Sequence, residues 1–344
     1  MAYSNIDKPS KYFNTVTWTG TGSAMSITGV GFQPDWVWYK GRSFAYNHGL
    51  FDAVRGTSNF IKSNSTDAET SLSGVSAFNS DGFSLGTDAG GVGGSGDTFV
   101  AWNWLGANTT VSNTQGSITS TVSANTTSGF SIVSYTGTGA NATVGHGLGV
   151  APKFIIFKNR SSATGWACYN VNIGASKYLA LNETIEAQTA TGVSNSTDPT
   201  SSVFSIGTAD RVNTNGNTYI AYCFAEIKGF SKFGSYTGNG SADGSFVYTG
   251  FTPAFIIVKN TTTAGNSWAM FDNKRLGYNV SNLALFPSDS SSETSGTSYI
   301  DILSNGFKMR STNDFNNKSG DTYIYMCFAS NPFVSSKGIC TTAR

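Results

Sequence analysis

Three stretches decide how this chain reads: Pro34-Asp-Trp-Val-Trp-Tyr-Lys40, Pro152-Lys-Phe-Ile-Ile-Phe-Lys158 and Pro253-Ala-Phe-Ile-Ile-Val-Lys259. Each is a proline, a run dominated by aromatic and β-branched residues, and a closing lysine. Such a run favours a strand, and proline fits a strand's first position, where its missing N–H costs little. Upstream of each lies an aromatic-Thr-Gly-x-Gly string: Trp18 to Gly22, Tyr135 to Gly139 and Tyr236 to Gly240. Downstream comes an aromatic followed by Asp or Asn: Phe51-Asp52, Tyr169-Asn170 and Phe271-Asp272, with Trp166 and Trp268 three residues earlier in the second and third copies. A fourth landmark closes each copy: Gly96-Asp-Thr-Phe-Val-Ala-Trp-Asn-Trp104, Gly216-Asn-Thr-Tyr-Ile-Ala-Tyr-Cys-Phe224 and Gly320-Asp-Thr-Tyr-Ile-Tyr-Met-Cys-Phe328. Four landmarks in one order, three times over, define an internal repeat. Its length of about 100 residues suffices for a unit with its own core, which predicts three domains and not a solenoid of short repeats.

The predicted fold class is all-β: three tandem antiparallel β-sandwich domains, jelly-roll or lectin-like, each of two packed sheets. Asp81-Gly82-Phe83 and Asn305-Gly306-Phe307 place tight turns directly before strands. The run Tyr219 to Phe224 suits a strand buried on both faces or facing a second sheet. Only Ile173 to Leu181 and Glu183 to Gln188 offer room for a short helix. The expected boundaries are an N-terminal arm over 1–14, repeats over 15–105, 130–228 and 229–330, a Ser/Thr/Asn-rich linker over 106–129, part of which could form a strand, and a tail over 331–344.

Composition narrows the function classes. Charged residues make up 12% of the 344 and aromatics 13%. That charge is about half the usual share, and the aromatic content excludes a disordered chain. The 21 basic and 20 acidic residues nearly cancel, so no basic footprint for nucleic acid is present. No apolar run approaches the length of a membrane span, and the first residues lack an apolar signal-peptide core. Cys168, Cys223, Cys327 and Cys340 are too sparse and too widely spaced for a disulfide scaffold. A soluble protein made in a reducing cytoplasm is expected.

Candidate chemistry is thin. His48 and His146 lie at non-equivalent places and are expected in turns or at the surface; neither has the partners of a zinc site or a triad. Gly91-Val-Gly-Gly-Ser-Gly96 matches a dinucleotide-binding string, but a strand and not a helix should follow it, so a mobile loop is expected. Among Asp35, Asp52, Asp81, Asp97, Asp272 and Asp321, several recur between repeats. Asn217 replaces Asp97 and Asp321 in the second copy, which suits a turn former and not a general acid. Cys223 and Cys327 read as buried thiols packing like small hydrophobes. The reading is therefore no enzyme, no catalytic residue, no cofactor and no metal. The functional candidates are aromatic faces for a glycan: Trp166 and Trp268, with Phe44 or Tyr46 in the first copy, against the alternative that these rings are core anchors.

The second and third copies carry strings that resemble a repeat family abundant in bacteriophage genomes. They are Gly129 to Gly139, Val144-Gly-His-Gly-Leu-Gly149, Pro152 to Arg160, Tyr219 to Ala225 and Phe233 to Gly244; the opening Ile6-Asp-Lys-Pro-Ser-Lys-Tyr-Phe13 is similar to the start of such proteins. The resemblance spans nearly the whole chain. It implies a virion structural protein found with tail or tail-fibre proteins, made in the host bacterial cytoplasm and located in the virion. It transfers no catalytic motif. Expected partners are other virion proteins and a host surface glycan, without nucleic acid or membrane insertion, in a homo-oligomer, a trimer being the favoured state. Three roles follow: a tail-fibre or receptor-binding adhesin first, a capsid decoration or head-fibre protein second, and a polysaccharide depolymerase last.

Overall fold

The same four strands form the heart of each unit. An opening strand (Phe13–Thr19, Phe130–Thr136, Ser231–Thr237) pairs with the closing strand (Thr98–Trp104, Thr218–Phe224, Thr322–Pro332). The closing strand pairs with the Pro-led strand (Trp36–Gly41, Phe154–Asn159, Phe251–Asn260), and that with a third strand (Gly49–Asp52, Ala167–Asn170, Ala269–Asp272). The registers coincide: Trp36 opposes Trp104, Phe154 opposes Phe224, and Phe255 opposes Phe328. In this computed structural model, which describes residues 3–87, 93–275, 279 and 281–341, the chain is nearly all β, in several antiparallel sheets. Among the described residues the α-helices are the four-residue turns Thr191–Ser194 and Asp210–Asn213.

The repeated Thr-Gly-x-Gly string has a steric cause. After the opening strand the backbone passes so close to the loop before the closing strand that a Cβ on Gly20, Gly137 or Gly238 would lie 2.2, 2.4 or 2.3 Å from a carbonyl oxygen. Two residues on, Gly22, Gly139 and Gly240 adopt φ of 76°, 73° and 66°, the left-handed region where glycine avoids a Cβ penalty.

Strand alternation gives each large sheet two apolar faces. In unit one, Val37, Tyr39, Phe51 and Ala101 pack against Ile27, Val75, Phe83 and Leu85 of a small sheet built from Met25–Thr28, Gly82–Leu85 and Val75–Asn79. Ile155, Phe157 and Tyr169 meet Val144, Phe204 and Ile206 in unit two, and Ile256, Val258 and Phe271 meet Val247, Ile302, Phe307 and Met309 in unit three. The opposite faces all point to one place. Trp36, Trp38, Trp102 and Trp104 join Phe154, Ile156, Tyr222 and Phe224, and Phe255, Ile257, Met326 and Phe328, in a single buried cluster. Trp36 stacks on Tyr222 with ring centroids 4.2 Å apart, Phe13 stacks on Phe328 at 5.1 Å, and Trp104 meets Phe255 edge-on at 5.8 Å.

This shared core is added to the separate core that each unit closes against its own small sheet. A strand that is apolar on both faces needs two partners. The small sheet is one, and the other two units are the second. A unit left by itself would expose at least four large side chains, each worth about 1.5–3 kcal/mol when buried.

Two local segments take definite form. Part of the stretch 106–129 is strand, as its sequence allows: Val111–Asn113 and Ser120–Asn125 extend the large sheet of unit two, next to its opening strand. Asp35 holds its start, its carboxylate accepting from the Gly106 and Asn108 N–H groups at 2.7 and 3.1 Å. No helix forms over 173–188. Lys177–Tyr178 pairs with Gln188–Thr189 and Leu179 bridges Cys168, which delivers Leu179 and Leu181 to the shared core.

Candidate functional site

Trp166 and Trp268 are buried, at 0% and 1% exposure, so neither indole offers a face to a glycan. Each spans a boundary between units instead. Trp166 Nε1–H donates to the Lys62 carbonyl and Trp268 Nε1–H to the Ala180 carbonyl, both at 2.9 Å. Unit one places His48 in the same position, three residues before Phe51. Trp38 Nε1–H donates to His48 Nδ1 at 3.0 Å, which leaves the proton on Nε2, and Nε2–H donates to the Phe286 carbonyl at 2.9 Å. The three acceptors are equivalent. Lys62, Ala180 and Phe286 directly follow Ile61, Leu179 and Leu285, which oppose Leu50, Cys168 and Met270. The contacts therefore run in a cycle, unit two to one, three to two and one to three, as an approximate threefold arrangement requires.

The lysine that ends each Pro-led strand repeats the cycle. Lys158 Nζ donates to the Thr66 carbonyl of unit one at 2.9 Å, Lys259 Nζ to the Thr184 carbonyl of unit two at 3.2 Å, and Lys40 Nζ to the Ser290 carbonyl of unit three at 3.2 Å. These acceptors lie five residues beyond Ile61, Leu179 and Leu285. Each ammonium also donates within its own unit, to Gly41, Thr164 or Asn266 carbonyls. Lys158 additionally lies 5.7 Å from the centre of the Trp166 ring. All three side chains are buried, and burial pushes each down to about 8.

Charge pairs complete two of the three seams. Arg160 holds Glu69 through Nε and Nη2 at 2.9 and 2.8 Å, and Arg42 holds Glu293 through Nε and Nη2. The same acids reach Arg55 and Arg275, whose Nε groups donate to Asp52 and Asp272. Tyr222 O–H of unit two then donates to Asp52 at 2.7 Å, and Trp102 Nε1–H of unit one to Asp272 at 3.1 Å. The seam of unit three on unit two keeps the backbone contact, Ala187 N–H to the Thr261 carbonyl at 3.1 Å, and has uncharged residues at the positions of the Arg–Glu and Asp–Arg pairs. There Thr261, Ala187, Asn170, Ile173 and Met326 stand where the other seams have Arg, Glu, Asp, Arg and a donor ring.

The remaining candidates are structural in placement. Both histidines are interior, contrary to expectation; His146 Nδ1 accepts from the Leu148 N–H at 3.2 Å, and its Nε2–H donates to the Thr200 carbonyl at 3.1 Å. Asp81 accepts from the Gly29 and Gly31 N–H groups. Asp97, Asn217 and Asp321 bond to Ser43, Ser162 and Asn260 at equivalent turns. Cys168, Cys223 and Cys327 are buried and free, and Cys340 is exposed. Gly91 and Val92 lie outside the described residues; after Gly96 comes a strand, as expected. Phe44 and Tyr46 are partly buried against one another. Among the described residues no group of three His, Cys, Asp or Glu side chains is placed to hold a metal ion, and no helix is long and apolar enough to cross a membrane.

The class that emerges is an all-β protein whose three homologous units are locked around one core by a cyclic set of buried hydrogen bonds. The chain belongs to the family described as domain of unknown function DUF7483, which matches residues 8–332 and so takes in all three units. No curated protein and no solved structure is a match to the chain.

Proposed function

We propose that this protein is a non-enzymatic structural component of a bacteriophage particle, a tail-fibre or receptor-binding adhesin that meets host surface glycans. The observation that carries this reading is the use of the buried polar groups. The lysines, His48, the Asp–Arg pairs and the Glu–Arg pairs are all engaged in holding units to one another. Buried ions are costly unless compensated, and here the lysines are met by carbonyls and the guanidinium groups by carboxylates across the seams. The resemblance of the repeat strings to phage virion proteins supports the setting. We read each large sheet with its small partner as a β-sandwich, three of them around a common axis. On this reading the internal threefold takes the place that three separate chains fill in a trimeric fibre tip, and association with other virion proteins adds avidity.

A second role, capsid decoration, draws support from the same geometry, because three similar units about one axis suit a threefold position on a shell. Antibody labelling of intact particles separates the two: label at the tail supports the adhesin, label confined to the head supports decoration. Incubating purified protein with host polysaccharide tests the non-enzyme reading, and release of reducing ends would overturn it.

A further inference from the structure

Unit three differs from the others on the outer face of its small sheet. Phe246–Tyr248 is an edge strand there, paired with Gly306–Met309, which pairs with Thr294–Leu303. Val247 points into the core, so Phe246 and Tyr248 point out. They are 48% and 58% exposed, the most exposed aromatic rings among the described residues apart from Tyr3. On the same face Lys308 opposes Phe246 and Asp301 opposes Lys308. Lys308 pairs with Asp243, and Arg310 reaches Asp301 at 3.3 Å and Asp243 at 3.7 Å.

The fold does not ask for these residues. In unit one the strand Met25–Thr28 pairs in the same way, with Ile27 opposite Phe83 as Val247 is opposite Phe307. Its outward positions are Ser26 and Thr28, with Ser84 in place of Lys308, Gly86 in place of Arg310 and Ala77 in place of Asp301. Unit two has Thr143 and Gly145 there, paired with Ser205 and Val203, but Thr143 bonds to Ser117 and Gly145 lies under Asn113, so this face is not open. Unit one thus makes the same strand pairing with small residues on its open face, whereas in unit two the segment around Asn113 and Ile118 covers the strand. Unit three covers this face with two rings and two ion-paired couples, which leave water-exposed apolar area that folding alone disfavours.

We propose that this face, built on Phe246 and Tyr248, binds an uncharged saccharide. Rings two residues apart on one strand stand about 6.7 Å apart along it and offer flat apolar surfaces to pyranose C–H faces. Lys308, Arg310, Asp243 and Asp301 supply donors and acceptors for hydroxyl groups. Two cations and two carboxylates neutralise one another, so the patch matches a neutral ligand and not an anionic one. A peptide strand added at the edge would use backbone groups and would not need rings on the face. The inference rests on the adhesin reading only for the source of the sugar, a host surface glycan.

The test uses the full chain and a panel of neutral gluco-, galacto- and manno-oligosaccharides beside uronate-containing ones, read by calorimetry and saturation-transfer NMR. At least one neutral saccharide should bind. Phe246→Ala and Tyr248→Ala should each weaken it about tenfold, with the melting temperature unchanged, and Phe246→Tyr should largely retain it. No binding to any neutral saccharide, binding to uronates alone, or equal binding by both alanine variants would overturn the proposal. A wild-type chain that binds saccharide through these rings but does not attach to host cells keeps the site and sinks the adhesin reading. Attachment to cells that is identical in both alanine variants keeps the adhesin reading and overturns this site.

Discussion

His48 donates its Nε2 proton to the Phe286 carbonyl from the position that tryptophan holds in the other two units. The bond crosses from unit one to unit three, and it exists in this form only while the imidazole is neutral, because Trp38 occupies Nδ1 as a donor. Burial first, and then the Lys40 ammonium, hold this histidine well below its ordinary value. Below about pH 6.5 the unfolded chain takes up a proton that the folded one refuses. Stability present above that pH is therefore lost as pH falls. Asp35 works the other way: burial raises it to about 6, so its contribution is present at low pH and lost as pH rises through 6. His48→Gln can keep both hydrogen bonds without a titrating group. Its melting temperature should fall less than wild type between pH 7 and 5, with a residual slope from His146, which burial also lowers. An unchanged pH profile would show that His48 is not the acid-sensitive group.

The three strand-ending lysines predict the alkaline limb. Each is lowered from 10.5 to about 8 by burial. Between those values the unfolded chain carries more protons than the folded one, so stability rises with pH across the window. Buried Tyr135, Tyr222 and Tyr236, raised by burial, reverse the trend above about pH 10, where only the unfolded phenols ionise. A stability maximum on the alkaline side of neutrality is expected in denaturant titrations at a series of pH values. Lys40→Met, Lys158→Met and Lys259→Met should each flatten the rise from pH 8 to 10. A flat wild-type curve over that range would contradict the burial of these ammonium groups.

The asymmetry of the seams predicts unequal mutational costs. Glu69 is the hub between Arg55, whose side chain is fully buried, and Arg160. Burial opposes its ionisation, but hydrogen bonds from Arg160 and then Arg55 keep its carboxyl below the usual range. Glu69→Ala removes the charged partner of Arg55 Nη1 and of Arg160, while Asp52 still pairs with Arg55, and should cost about 1.5–3 kcal/mol. Lys318→Ala, which removes one partner of the exposed Lys318–Asp314 pair at 3.9 Å, should cost less than about 1 kcal/mol. Urea midpoints at constant slope measure both. Similar losses for the two would remove the hub role.

How much of this was legible depended on residue type. The Pro-to-Lys strings, the closing strands and the Asn/Asp-Gly turns all mark strands, because aromatic and β-branched runs between turn formers carry that signal directly. Two-faced burial is also visible, in the run Tyr219 to Phe224, but a sequence does not say which surface covers the second face. The lysine landmark was plain, and its burial was not: a terminal lysine looks like a strand reaching water. His48 hid the third member of the Trp166 and Trp268 set, although its spacing from Phe51 is the same. Ring chemistry alone makes Trp166 and Trp268 look like glycan platforms, whereas the exposed rings, Phe246 and Tyr248, stand out only when their strand is laid against Ser26 and Thr28.

The shared core makes a final prediction about cooperativity. Phe224 and Phe328 belong to different units, yet their rings lie 6.0 Å apart, and both pack against Trp104 of unit one. Phe224→Ala and Phe328→Ala should each cost about 3–5 kcal/mol. Because the cavity opens in a core common to all three units, the loss should lower one transition for the whole chain and not a separate melt of the mutated unit. Tryptophan fluorescence reports mainly on unit one, which holds Trp18, Trp36, Trp38, Trp102 and Trp104, while Trp166 and Trp268 report on the other two. Monitoring Trp166→Phe/Trp268→Phe chains carrying either Phe→Ala change therefore asks whether unit one feels a cavity made elsewhere. A fragment of residues 229–341 alone should fail to fold, since Phe255, Ile257, Trp268 and Phe328 would face water. A stable, cooperatively melting fragment, or a Phe328→Ala chain whose unit-one fluorescence transition stays at the wild-type midpoint, would mean that the units are energetically independent despite their contact.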